Sequence, residues 1–169
     1  MPHLSEISEY KQNLLTLFLR DPRIVSILKN EKANADDIPA FDLRYKQVFP
    51  WKHVVDTSEE ARTFITFNIS VPNCPTLAVA DFTLYVWVFT HDSLMPFDKE
   101  ASERTGVDKR GTRDDVLCQV IAEALNGNTD YGFGKLELKK SDFFDAGKNY
   151  AGRYLDFKAQ DYNRICKSL

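Results

Sequence analysis

The sequence predicts an α+β fold: one antiparallel or mixed sheet with helices packed on one side. Three observations predict it. Apolar residues recur at helical spacing near the start and again from Thr112, but alternate with period two between and after. The elements run helix, helix, strands, long connection, helix, strands, which is not the regular alternation of a parallel α/β sheet. One strand, "DFTLYVWVFTH" (81–91), carries Phe82, Leu84, Val86 and Val88 on one face and Tyr85, Trp87 and Phe89 on the other. Both faces are apolar, so both need a cover, where an ordinary antiparallel sheet wets one.

The elements follow in order. Ser5 is placed to cap a first helix bearing Ile7, Tyr10, Leu14, Leu17 and Phe18. Asp21-Pro22 starts a second, short helix through Leu28. "KNEKANADDIPAFD" is polar and reads as a loop. "YKQVFPWKHVV" holds Pro50, which limits it to an edge strand or an extended lead-in. "TFITFNISV" alternates Ile65, Phe67, Ile69 and Val71 against Thr66, Asn68 and Ser70, and should pair antiparallel with the 81–91 strand.

Asp92 to Gly111 is a long charged connection, of a length that in a compact domain is functional or unstructured when alone. Thr112, with Asp115 three residues on, makes a capping-box-like start for a helix whose stripe is Val116, Leu117, Val120, Ile121, Ala124 and Leu125. "GKLELKK" and "YAGRYLDFKAQDYN" read as a closing hairpin around "DAGKN". The N-terminal helices, or a neighbouring subunit, are expected to cover the Tyr85/Trp87/Phe89 face. With 169 residues, one domain is expected over 1–169. Residues 1–50 form its helical segment and lead-in, and 51–169 its sheet-helix core, with the long loop at 92–111.

A formal charge of −3 gives no general reason to bind nucleic acid. Cys74, Cys118 and Cys166 are widely spaced with no C-x-x-C pair, and read as reduced thiols, Cys118 facing the core from its helix. No signal peptide is evident in "MPHLSEISEY", and no apolar window is long enough for a transmembrane helix. His3, His53 and His91 are scattered, and the His91-Asp92 pair lacks the further ligands of a metal phosphohydrolase. "YGFGKLE" precedes a strand and not a helix, so it is no dinucleotide fingerprint. Glu137-Leu138-Lys139 matches the E-x-K half of restriction-type nuclease sites, in which a carboxylate holds Mg²⁺ and a lysine positions water. The expected aspartate on a preceding strand is missing, because the nearest, Asp130, follows the helix. No catalytic residue, cofactor or metal site is therefore expected, and an interaction protein is.

The series "RTFITFNISVP", "DFTLYVWVFTHD", "GTRDDVLCQVIAEALNG", "GFGKLELKKSDFF" and "YAGRYLDFKAQDYNR" resembles neck proteins of tailed bacteriophages, and more narrowly tail-terminator (tail-completion) proteins. The resemblance covers roughly residues 60 to 165 and is mainly architectural. It implies a tail-terminator-like sandwich assembled as a homohexameric ring, a non-enzymatic structural part of the virion made in the host cytoplasm. One surface would meet the tail tube protein and the other the head-tail connector or stopper, with DNA only passing through the lumen and no membrane involved. The candidate assembly contacts are Lys99, Arg104, Lys109 and Arg110 in the loop, and Tyr85, Trp87 and Phe89 on the strand. The alternatives are another neck protein (a connector, adaptor or stopper) or a small Mg-dependent nuclease.

Overall fold

A computed structural model describes residues 4–34, 40–53, 60–76, 79–132 and 134–162. Helix α1 spans Leu4–Arg20 and α2 Pro22–Lys29. Ser5 thus lies inside the first turn of α1. The start of α2 is as expected: the Asp21 carboxylate accepts from the Arg23 N–H at 2.9 Å and Pro22 follows it.

The strands are β1 (Val48–Phe49), β2 (Thr63–Thr76), β3 (Val79–His91), β4 (Pro96–Phe97), β5 (Gly111–Thr112), β6 (Glu137–Gly147) and β7 (Tyr150–Tyr162). Five of them form a mixed sheet in the order β1-β2-β3-β7-β6. Pro50 stops β1 after it has paired, in parallel, with Ile65 and Thr66; every other pair in the sheet is antiparallel. Lys148 and Asn149, at φ 43° and 69°, close the β6–β7 hairpin as the two-residue turn whose twist suits paired strands.

Alternation sorts the sheet into two sides. Ile65, Phe67, Leu84, Val86, Val88, Leu155 and Phe157 face one continuous core. Helix α4 (Arg113–Leu125) lies over β3 and β7 and buries Val116, Leu117, Val120, Ile121 and Leu125. Helix α1 lies over β1 and β2, with Phe18 edge-on to Phe67 at 5.3 Å between ring centres and Tyr10 edge-on to Phe82 at 5.8 Å.

The expectation that the N-terminal helices cover the second face is therefore corrected: they share the first face with α4. The reason is width. A helix about 10 Å across shadows roughly two strands spaced about 4.8 Å, so one helix cannot roof this sheet.

The 92–111 connection is also more ordered than its composition suggests. A 3₁₀ turn (Asp92–Leu94) leads into a β4–β5 ribbon that brackets a third helix, α3 (Lys99–Thr105). Asp98 caps α3 by accepting from the Ala101 N–H at 3.0 Å, and Gly106 at φ 72° ends it. Phe97, Ala101 and Val107 are buried, three apolar anchors hidden among the charges. Among the described residues, no helix is long and apolar enough to cross a membrane.

Candidate interaction surface

The side of the sheet that no described helix covers is built from four strands in register. Phe64, Phe89, Gly152 and Phe144 form one row, and Thr66, Trp87, Tyr154 and Asp142 the next. Asn68, Tyr85, Asp156 and Lys140 form the third. Gly152 has a specific reason to be glycine. A Cβ there would stand 2.0 Å from the Val88 carbonyl oxygen and 2.7 Å from the Phe89 Cα.

The first row is sealed. Phe64 stacks on Phe89 at 5.2 Å, and Phe49 stacks on His53 at 4.0 Å. Phe49, Phe64, Phe89 and Tyr150 form a second buried cluster, separate from the main core, and the Tyr150 hydroxyl donates to the Glu60 carbonyl at 3.2 Å. Burial pulls the His53 imidazole below its usual range. The lead-in residues from Phe49 to His53 are thus the lid of this half.

The other two rows stay partly open. Tyr85 and Trp87 stack at 5.8 Å and are only half-buried. Lys52 lies over the Trp87 ring at 6.0 Å, and Lys140 over Tyr154 at 5.1 Å. Beneath them, Thr66 Oγ1 and Asp156 Oδ1 are buried and make no hydrogen bond. Desolvation raises the Asp156 carboxyl, against the opposing pull of Lys140 and Lys158. Of the aromatic trio singled out from sequence, Phe89 is core of this second cluster, while Tyr85 and Trp87 remain presentable to a partner.

The loop cations do not join them. Lys99 pairs with Glu103 and Arg104 with Glu100, both within α3, and Arg104 also donates to Asn30 Oδ1 at 2.9 Å. Lys109 reaches Glu123 on α4 at 2.7 Å, where Arg23 also binds. These charges sit in the helix layer, across the sheet from Trp87, and largely neutralise one another. Arg110 is exposed and makes no ion pair among the described residues.

Arg113 is the functional-looking residue that the sequence did not single out. It is 2% exposed, and its guanidinium donates to Leu94 O (2.7 Å), Ile27 O (3.0 Å) and Asn30 Oδ1 (2.8 Å). It also lies 5.2 Å from the centre of the Phe97 ring. Burial lowers its pKa to about 10. Its part is structural, tying α2, the 3₁₀ turn and α4 together. Asp115 is not a capping-box partner: its carboxylate accepts from Arg153 Nε at 2.5 Å, and Thr112 makes no side-chain cap. Arg113 lies within "GTRDD" at the start of this helix, and nothing in that local spacing shows which distant oxygens it meets.

Glu137 and Lys139 of the E-x-K sequence bind each other at 2.6 Å on the exposed strand. His91 Nδ1 accepts from the Ser93 N–H at 3.2 Å in an open turn. Burial pushes the Cys118 thiol up, away from reactivity. The side chains of Cys74 and Cys166, and His3, lie outside the described residues. Among the described residues, no group of three His, Cys, Asp or Glu side chains is placed to hold a metal ion. A protein-family model described as YomW matches residues 21–159, and no curated protein matches the chain.

Proposed function

We propose, from the premise that this chain belongs to the YomW family and is a phage-associated protein, that it is a tail terminator. In this reading it caps the tail tube as a six-membered ring and forms the joint with the head connector. The observation that carries it is the two-sidedness of the sheet. Helices seal one side, while the other presents Tyr85, Trp87 and Tyr154 at a half-buried surface with buried polar atoms lacking partners. A surface of that kind suits docking against protein, where aromatic side chains contribute contact area and a polar edge contributes specificity.

Termination is geometric. A subunit ring occupies the growing end of the tube so that no further tube subunit adds, and no bond is made or broken. The helix layer and the aromatic side are unlike, as a part placed between a tube and a connector requires. The cations of the 92–111 segment are mostly engaged within the chain, so the aromatic side is the better docking candidate.

Deletion of the gene from its phage tests this. The expected result is DNA-filled heads without attached tails, together with tubes of abnormal length, seen by electron microscopy. Normal infectious particles overturn any neck role. Filled heads beside free tails of correct length reassign the protein to another neck position, such as a stopper.

A further inference from the structure

We infer that the corner where α1 meets the lead-in to β1 is a docking site for an acidic segment of a partner protein, taking one aliphatic side chain and a carboxylate beside it. Of the four exposed large apolar side chains among the described residues, three lie in this short stretch: Phe41 (59% exposed), Tyr45 (43%) and Trp51 (44%). Tyr45 and Trp51 lie 5.4 Å apart, ring centre to ring centre. Phe41 opens a 3₁₀ turn (Phe41–Leu43) whose last residue, Leu43, is buried and anchors it. Tyr45 is held at φ 59°, a costly conformation for a bulky residue, with its N–H donating to the Val48 carbonyl at 2.9 Å. An apolar patch edged by charge is the usual mark of a contact site.

The charges select the occupant. The Arg44 guanidinium lies over the Tyr45 ring at 4.7 Å, and its Nη2 donates to the Tyr45 hydroxyl at 2.8 Å and to Gln12 Oε1 at 3.0 Å. Those partners are neutral, so they orient the cation without neutralising it. Its Nε is buried and makes no hydrogen bond. Asp42, the acid between Phe41 and Arg44, is taken by Lys29 at 3.3 Å. Arg20, two turns along α1 from Gln12, is exposed, and neither arginine makes an ion pair among the described residues. Both line a pocket of about 120 Å³, with the buried Leu15 and Leu19 as its apolar wall. Cavities of roughly 150 Å³ hold a benzene-sized group, so this one suits a leucine or isoleucine side chain. A guanidinium fork takes carboxylate and phosphate alike. The chain's charge of −3 repels a polyanion, however, and a nucleic acid has no aliphatic side chain for the pocket. An acidic peptide supplies both halves. The site does not include Tyr85, Trp87 or Tyr154, so the inference holds whether or not the chain terminates tails.

Fluorescence polarisation with the full chain at low salt is the test. The probes are a fluorescein-labelled peptide, Asp-Glu-Leu-Asp-Glu, and its neutral counterpart, Asn-Gln-Leu-Asn-Gln. The acidic peptide should bind about tenfold more tightly or better, and replacing its leucine by serine should weaken it by about tenfold. Arg44→Gln and Arg20→Gln should each weaken it by about tenfold, as loss of a charge-assisted hydrogen bond does, with circular dichroism showing that each variant is folded. Phe41→Ser, at an exposed position, should weaken it too. Lys148→Gln removes the same charge from the exposed β6–β7 turn at the other edge of the sheet, and should change binding by less than about twofold. Equal binding of the acidic and neutral peptides, full binding by folded Arg44→Gln and Arg20→Gln, or an equal loss in Lys148→Gln overturns the proposal. So does a short single-stranded oligonucleotide that binds in place of the peptide with the same dependence on Arg44.

Discussion

Gly152 shows how one residue can set the spacing of two strands. Its backbone is extended, so conformational freedom is not what it supplies; it supplies room. Phe89 and the Val88 carbonyl occupy the space a side chain would take, and that close approach lets Phe89 pack among Phe64, Phe144 and Tyr150. Gly152→Ala should cost about 1–3 kcal/mol, the range for an overpacked core site. Chemical denaturation reads it as a lower midpoint at unchanged slope. An unaltered midpoint would mean that β3 and β7 have room for a methyl group at this position. Arg113 works by the opposite logic. It is large, charged and buried, and is tolerated because each of its three donor groups finds an oxygen.

Among the elements, the 92–111 segment departs furthest from expectation. Its charges suggest an unstructured loop, yet Phe97, Ala101 and Val107 pin it to the helix layer, and Arg113 ties its first turn to α2. Limited proteolysis of the wild type should therefore leave 92–111 intact while other exposed segments are cut. Arg113→Met keeps most of the side-chain volume but strands the Leu94 and Ile27 carbonyls, at about 1–3 kcal/mol for each buried group left without a partner. Cleavage within 92–111 should then become the first event. A wild-type first cut inside this segment would show that its anchors do not hold it.

At the scale of the whole molecule, the two sides of the sheet behave differently under the same kind of substitution. Trp87 is half-buried on the uncovered side, so Trp87→Glu leaves the main core untouched and the chain should fold. The new carboxylate would nevertheless meet any docked partner as a desolvated charge, which is strongly unfavourable. In a phage lacking the gene, a plasmid carrying Trp87→Glu should fail to restore infectious particles. One carrying Lys99→Glu with Arg110→Glu should restore them, because exposed charges in the helix layer contribute little to stability or to that contact. Full complementation by Trp87→Glu would remove the aromatic side from the assembly surface.

Local signals in the sequence determined the elements themselves: the Asp21-Pro22 helix start, the short edge strand stopped by Pro50, the Ile65/Phe67 alternation and the hairpin around 147–149. Each depends on residues within a few positions of one another, where spacing, capping and turn chemistry act. The family resemblance and the match to YomW agree at the level of a phage-associated protein. Only the tertiary structure decided which side of the sheet the helices share and what seals the half of the second face around Phe89. It also decided that the loop cations pair internally, and that Asp115 binds Arg153 rather than capping its own helix. Those outcomes rest on contacts between residues far apart in the chain, such as Lys109 with Glu123 and Arg113 with Ile27. No periodicity encodes such pairs, because they form only once the sheet's width and strand order have brought the segments together.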